Sequence, residues 1–160
     1  MRTILLAGAA VLSLSSAALA NPAEGPSRRF EPKDLFALEQ AQDPQIRPDG
    51  LAVAYVRSSE DIMTDGARRS IWLVDVNTGA QTPLVDGAGG AFEPRWSPDG
   101  GRLAYVSTAG GKPQLYVRWM ATGATASIAD LPEAPSNLTW SPDGRSIAFS
   151  MLTEDDPAKL

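Results

Sequence analysis

Trp96-Ser97-Pro98-Asp99-Gly100-Gly101-Arg102-Leu103-Ala104-Tyr105-Val106 decides how the chain is read, because the same pattern stands on either side of it. Upstream it aligns without gaps to Ile46-Arg47-Pro48-Asp49-Gly50-Leu51-Ala52-Val53-Ala54-Tyr55-Val56, and downstream to Trp140-Ser141-Pro142-Asp143-Gly144-Arg145-Ser146-Ile147-Ala148-Phe149-Ser150. The offsets are 50 and 44 residues. A second element repeats in the gaps: Ile71-Trp72-Leu73-Val74-Asp75-Val76-Asn77-Thr78-Gly79 matches Leu115-Tyr116-Val117-Arg118-Trp119-Met120-Ala121-Thr122-Gly123, again 44 residues apart. Short strands recurring at that period are the signature of propeller blades.

Each part of the unit has a physical reason. Proline holds its own φ near the value needed at the second position of a type I turn. Aspartate accepts from nearby backbone N–H groups, and glycine takes the last position, where positive φ is often required. The turn residues Pro48, Asp49, Gly50, Ser97, Pro98, Asp99, Gly100, Ser141, Pro142, Asp143 and Gly144 are therefore read as structural. Beyond each turn, Val53 and Tyr55, Leu103 and Tyr105, or Ile147 and Phe149 project to one side of a strand, and Ala54, Ala104 and Ala148 to the other. Both sides are apolar, so both are expected to be covered, as in a blade held between two neighbours. The turns at Asn77-Thr78-Gly79 and Ala121-Thr122-Gly123 then lead into fourth strands over 81–85 and 125–129. The expected fold is all-β: an incomplete propeller of two full four-stranded blades and part of a third, over 33–160, with about 44–50 residues per blade.

Composition agrees with a globular fold. Apolar residues make up 43%, and 19 acidic against 14 basic side chains leave a net charge of −5. With no cysteine and no histidine, a Ser-His-Asp triad, a Cys-His dyad, a His-ligated zinc and a disulfide are impossible within these residues. The acidic balance, with no basic cluster beyond Arg68-Arg69, argues against nucleic acid as a partner.

Met1-Arg2, the apolar run Ile4 to Leu14 and the small-residue ending Ala18-Leu19-Ala20 read as a signal peptide over 1–20, too short for a permanent membrane span. Export without disulfides fits a bacterial periplasm or the medium. Residues 21–32 read as a Pro-rich linker. Lys33 to Gln42 is expected as a short helix with Asp34 as N-cap and Leu35, Phe36 and Leu38 as its apolar contacts. Ser58 to Arg69 is expected as the longest loop between blade strands. Propellers close with about four to eight blades, so a chain stopping within its third is expected to be the beginning of a longer protein, the alternative being an assembly in which several chains complete the ring.

Few residues invite a chemical role. Asp49, Asp99 and Asp143 recur as an acidic set, but each sits in the same local turn of a different blade, so they are read as turn residues. Asp75-Val76-Asn77-Thr78-Gly79 lacks the remaining oxygen ligands of a calcium loop. Trp72, Trp96, Trp119 and Trp140 could form an aromatic binding platform; their repeated placement in strands favours packing between blades. No Gly-x-Ser-x-Gly elbow is present, and catalytic, cofactor and metal residues are all expected to be absent.

Asp34-Leu35-Phe36 leading to Asp43-Pro44-Gln45-Ile46-Arg47-Pro48-Asp49-Gly50, then Ser70 to Asp75, then the two Trp-Ser-Pro-Asp-Gly motifs, resemble the N-terminal propeller of bacterial serine peptidases of the prolyl oligopeptidase family. The likeness is to acylaminoacyl-peptidase-like and dipeptidyl-peptidase-like members and covers residues 33–156. It implies a propeller that gates peptide access to a C-terminal α/β-hydrolase domain, for which nothing here corresponds. The implied partners are that domain and peptide substrates. The Ser-Pro-Asp-Gly repeat is shared with the Tol-Pal propeller protein, so a non-enzymatic periplasmic propeller that binds proteins or peptides is the alternative. Arg47, where the other repeats have serine, suggests an atypical first blade.

Overall fold

Each Pro-Asp-Gly turn closes a hairpin in the structure, a computed structural model that describes residues 31, 34, 38–61, 66–87 and 89–153. The N–H groups of Gly50, Gly100 and Gly144 donate to the carbonyls of Arg47, Ser97 and Ser141, each at 2.8 Å. These glycines have φ of 74°, 67° and 68°, the left-handed region that a side chain disfavours. Strands β1 (Glu39–Ile46), β2 (Ala52–Asp61), β3 (Gly66–Asp75) and β4 (Gln81–Val85) form a four-stranded antiparallel sheet in chain order. Strands β5 (Ala91–Trp96), β6 (Arg102–Ser107), β7 (Gln114–Trp119) and β8 (Thr125–Ser127) repeat it, and β9 (Ser136–Trp140) pairs with β10 (Ile147–Ser150) as a two-stranded sheet. These are two complete blades and half of a third.

The alternation along the strands makes the core. In blade one Ala54 pairs with Leu73 and Val56 with Ile71, turning these residues toward blade two. There Leu103 and Tyr105 meet them, with Tyr105 stacked on Tyr116 at 5.8 Å. The opposite face of blade two, with Ala104, Val106, Leu115 and Val117, packs on Leu138 of the third sheet. Ile71, Leu103, Leu115 and Leu138 are fully buried, each worth about 1.5–3 kcal/mol relative to exposure. Blade two is therefore covered on both sides, as its pattern requires. The outer blades differ: Ile46, on the first strand of blade one, is 70% exposed, and Ala148 on β10 is exposed.

Two local expectations are corrected. Residues 39–42, expected as the end of a helix, are in β1, because Glu39 to Gln42 find pairing partners from Ser59 to Val56. A marginal helix is overridden by that pairing. Asp34 does not precede a helix of that extent; its carboxylate accepts the Glu31 N–H at 2.8 Å while its own N–H donates to the Glu31 carbonyl. Residues 35–37, including Leu35 and Phe36, lie outside the described residues. Ser58 to Arg69 is mostly strand, since β2 and β3 pair as far as Asp61 with Gly66. Side chains beyond the hairpin hold this extension: Arg68 pairs with Asp86 at 2.7 Å, and the Arg69 guanidinium lies over Phe92. The leader expected over 1–20, all of the linker except Glu31, and residues 154–160 fall outside the described residues.

Candidate functional site

The recurring turn is a small hydrogen-bonded device. In the second and third repeats the serine hydroxyl donates to the aspartate Oδ1, at 2.5 Å from Ser97 and 2.6 Å from Ser141. The same hydroxyl oxygens accept the N–H groups of Arg102 and Ser146, and Oδ1 accepts from Gly101 and Arg145. The serine hydroxyl, followed by the backbone N–H, holds Asp99 and Asp143 below the usual carboxylate range. In the first repeat Arg47 takes the serine's place: its Nε donates to Asp49 Oδ1 at 2.9 Å and its Nη2 lies 2.7 Å from Oδ2. That pairing, with the Leu51 N–H, lowers Asp49 as well. Asp75 caps its own turn, lowered by the N–H and then the hydroxyl of Thr78.

The aspartates are thus engaged locally in separate blades, and the structure does not bring Asp49, Asp99 and Asp143 together. Among the described residues no group of three acidic side chains is placed to hold a metal ion.

The tryptophans divide into three roles. Trp96 donates its indole N–H to the Gln45 carbonyl at 3.0 Å, and Trp140 donates to the Arg95 carbonyl at 2.9 Å. Each bond reaches into the preceding blade at the same strand position, so it acts as a latch between blades. A guanidinium from the preceding blade covers each ring: Arg47 lies over Trp96 at 6.0 Å and Arg102 over Trp140 at 4.8 Å. Arg102 also donates to the Gly144 carbonyl at 2.9 Å. Arg47 therefore marks a variant of the turn and also serves the next blade. Trp72 lies on the outward face of blade one under Arg57, which pairs with Glu39. Trp119 is 38% exposed at the edge of blade two.

The innermost strands carry a feature that the motif alignment missed. Asp43, Glu93 and Asn137 have φ of 46°, 54° and 55°. Each lies three residues before Ile46, Trp96 or Trp140, so the signal was a polar residue at a fixed offset from the turn. The bulge in β1 lies between Gln42 and Gln45, and that in β5 between Phe92 and Arg95. Their side chains join successive blades: Arg95 donates to Asp43 at 2.7 Å, and Glu93 accepts the N–H groups of Asn137 and Leu138 at 3.2 and 3.4 Å.

Two clefts remain. One, of about 180 Å³, is polar and lies on the outward face of blade one among Glu39, Arg57, Arg68 and Asp86. The other, of about 210 Å³, is apolar and lies between blade two and β10. With no histidine or cysteine in the sequence, no serine here has an imidazole base or orienter.

Residues 37–158 match the TolB beta propeller domain family, and the chain belongs to it. The chain is 39% identical over 85 residues to an uncharacterized peptidase, YuxL, of Bacillus subtilis, covering 52% of this chain and 13% of that protein. It is 27% identical over 105 residues to dipeptidyl-peptidase 5 of Porphyromonas gingivalis, covering 64% of this chain and 15% of the relative. Among solved structures, an acylaminoacyl peptidase of Pyrococcus horikoshii superposes with a TM-score of 0.67 at 20% identity, covering 80% of this chain and 20% of that one. The likeness expected from the sequence is therefore found: this is a propeller homologous to propellers of peptidases. It spans about a seventh of the length of these curated relatives.

Proposed function

We propose that these residues are the N-terminal propeller part of an exported serine peptidase of the prolyl oligopeptidase family. In this reading the propeller gates peptide access to a C-terminal α/β-hydrolase domain that carries the nucleophile, base and orienting acid. The observation that carries it is the 39% identity to a protein named a peptidase, in a stretch without histidine or cysteine. The fold supports the division of labour, since a stack of blades offers a wall while the chemistry needs histidine. The substrates are short or unfolded peptides able to pass that wall. No nucleic acid is involved. Among the described residues no helix is long and apolar enough to cross a membrane. The charged, small-residue-terminated leader supports export to the periplasm or medium.

The sequence encoded beyond Leu160 tests the proposal. A Gly-x-Ser-x-Gly elbow followed in order by aspartate and histidine supports it. The full-length product is then expected to react with a fluorophosphonate probe and to cleave short peptides faster than folded proteins. Further Pro-Asp-Gly repeats with no elbow would instead favour the second reading, a non-enzymatic periplasmic propeller that binds proteins or peptides. The TolB propeller family match favours that second reading.

A further inference from the structure

An aspartate followed by glycine is prone to rearrange, because glycine has no Cβ to obstruct its amide nitrogen as it approaches the aspartate carboxyl. The chain has five such pairs: Asp49-Gly50, Asp65-Gly66, Asp86-Gly87, Asp99-Gly100 and Asp143-Gly144. Asp65 lies outside the described residues, and the structure divides the other four into two groups. In the three hairpin turns the glycine N–H is engaged, donating at 2.8 Å to the carbonyl three residues back, which fixes the nitrogen. The carboxylate is engaged too. Asp49 Oδ1 accepts from Arg47 and Leu51, Asp99 Oδ1 from Ser97 and Gly101, and Asp143 Oδ1 from Ser141 and Arg145, at 2.5 to 3.0 Å. Donors to the charged form keep these three carboxylates ionised, and an ionised carboxyl has no hydroxyl to release.

Asp86-Gly87 has no such cage. It follows β4 on the way to β5, both residues are exposed, and Gly87 donates no hydrogen bond among the described residues. The Asp86 carboxylate meets Arg68 at 2.7 Å, in a pair whose side chains are 45% and 59% exposed. A surface pair of that kind opens readily. We propose that Asp86-Gly87 is a site of spontaneous isoaspartate formation, and that the three hairpin turns shield their own Asp-Gly pairs from the same reaction. The Gly87 nitrogen bonds to Cγ of Asp86 and gives up its proton, while the carboxyl hydroxyl takes up a proton and leaves as water. The cyclic imide then takes up water at either carbonyl. Opening at the side-chain carbonyl restores aspartate. Opening at the main-chain carbonyl leaves the chain running through the side chain, one methylene longer, with a free α-carboxylate. The carboxyl that pairs with Arg68 then becomes a backbone amide, so this tie on the β2–β3 extension is lost.

The test ages the protein at neutral pH in water enriched in heavy oxygen, folded and in urea, and digests it with trypsin in ordinary water. Each imide that opens leaves a heavy oxygen in its residue, and trypsin places the four pairs on separate peptides, residues 34–57, 70–95, 96–102 and 119–145. In urea all four should take up label at comparable rates. In the folded protein 70–95 should keep most of its urea rate, with the label at residue 86, while the other three fall about tenfold or more because reaction there waits on opening of the turn. Gly87→Val should keep the fold, since nothing lies within 4 Å of a Cβ there and φ is outside the left-handed region, and should remove the label by crowding the nitrogen. Circular dichroism checks that this variant is folded. Turn peptides that label equally folded and in urea, a folded rate in 70–95 as low as in the turn peptides, label at Asp75 in place of residue 86, or full labelling of folded Gly87→Val would overturn the proposal. None of these readouts depends on peptidase activity.

Discussion

Replacing Trp96 by phenylalanine tests the indole latch with little other disturbance, since an aromatic ring remains to fill the space between blades. The change removes the N–H that donates to the Gln45 carbonyl at 3.0 Å and leaves that half-buried acceptor without this partner. Such a bond contributes about 1 kcal/mol net. The Arg47 guanidinium stands 6.0 Å from the ring centroid, near the limit of a cation–π contact, and its weaker attraction to phenylalanine adds about 0.5 kcal/mol. The expected loss is thus about 1.5 kcal/mol. With a urea slope of about 2 kcal/mol/M, the unfolding midpoint should fall by about 0.75 M at unchanged slope. Far-ultraviolet circular dichroism follows the transition without relying on the fluorophore that has been removed. Hydrogen exchange should show the loss as faster opening at β1 and β5, on either side of the junction. A midpoint lowered by less than about 0.2 M, or faster opening confined to β8, would refute the assignment of this bond as a coupling between blades.

Leu103→Ala empties a fully buried position between blades one and two and should cost about 3 kcal/mol by equilibrium unfolding; a loss below about 1 kcal/mol would mean the site collapses freely. Gly100→Ala should destabilise by about 1 kcal/mol or more, because φ is 67° and a Cβ would stand 3.0 Å from Arg47 Cγ. Gly101→Ala next to it, without positive φ, should be tolerated; a similar loss in both variants would point to a cause other than the left-handed turn. Asp99 and Asp143 have folded-state pKa values below their unfolded values. Their stabilisation is therefore present above about pH 4 and lost as the pH falls through the folded values. The doubly substituted D99N/D143N chain should show a flatter fall of melting temperature with acidification below pH 4, and an unchanged acid limb would contradict this.

The blades were legible because their cause is local. Proline, aspartate and glycine dictate the turn by themselves, and alternation of Leu103, Ala104 and Tyr105 fixes which side chains face which neighbour. The latches were not legible in the same way. That Trp96 is apolar and repeated says that it is buried, but its acceptor, the Gln45 carbonyl, is set by how one sheet lies on the next. β1 was misread because Lys33 to Gln42 has residues compatible with a helix, while the pairing partners that make it a strand lie at 56–59. The extension of the first hairpin failed for a related reason: polar residues between Ser58 and Arg69 suggest a loop unless Asp86 and Phe92 are known to lie beside Arg68 and Arg69. The polar cleft on blade one likewise combines Glu39 and Asp86, which no short-range pattern links.

The direction of the indole bonds has a consequence for biosynthesis. Trp96 and Trp140 each reach backward, to a carbonyl that has already left the ribosome, and the guanidinium covering each of them likewise belongs to earlier sequence. A newly emerged wedge therefore meets acceptors and guanidinium groups that are already in place, which suits docking of blades in order from the amino end.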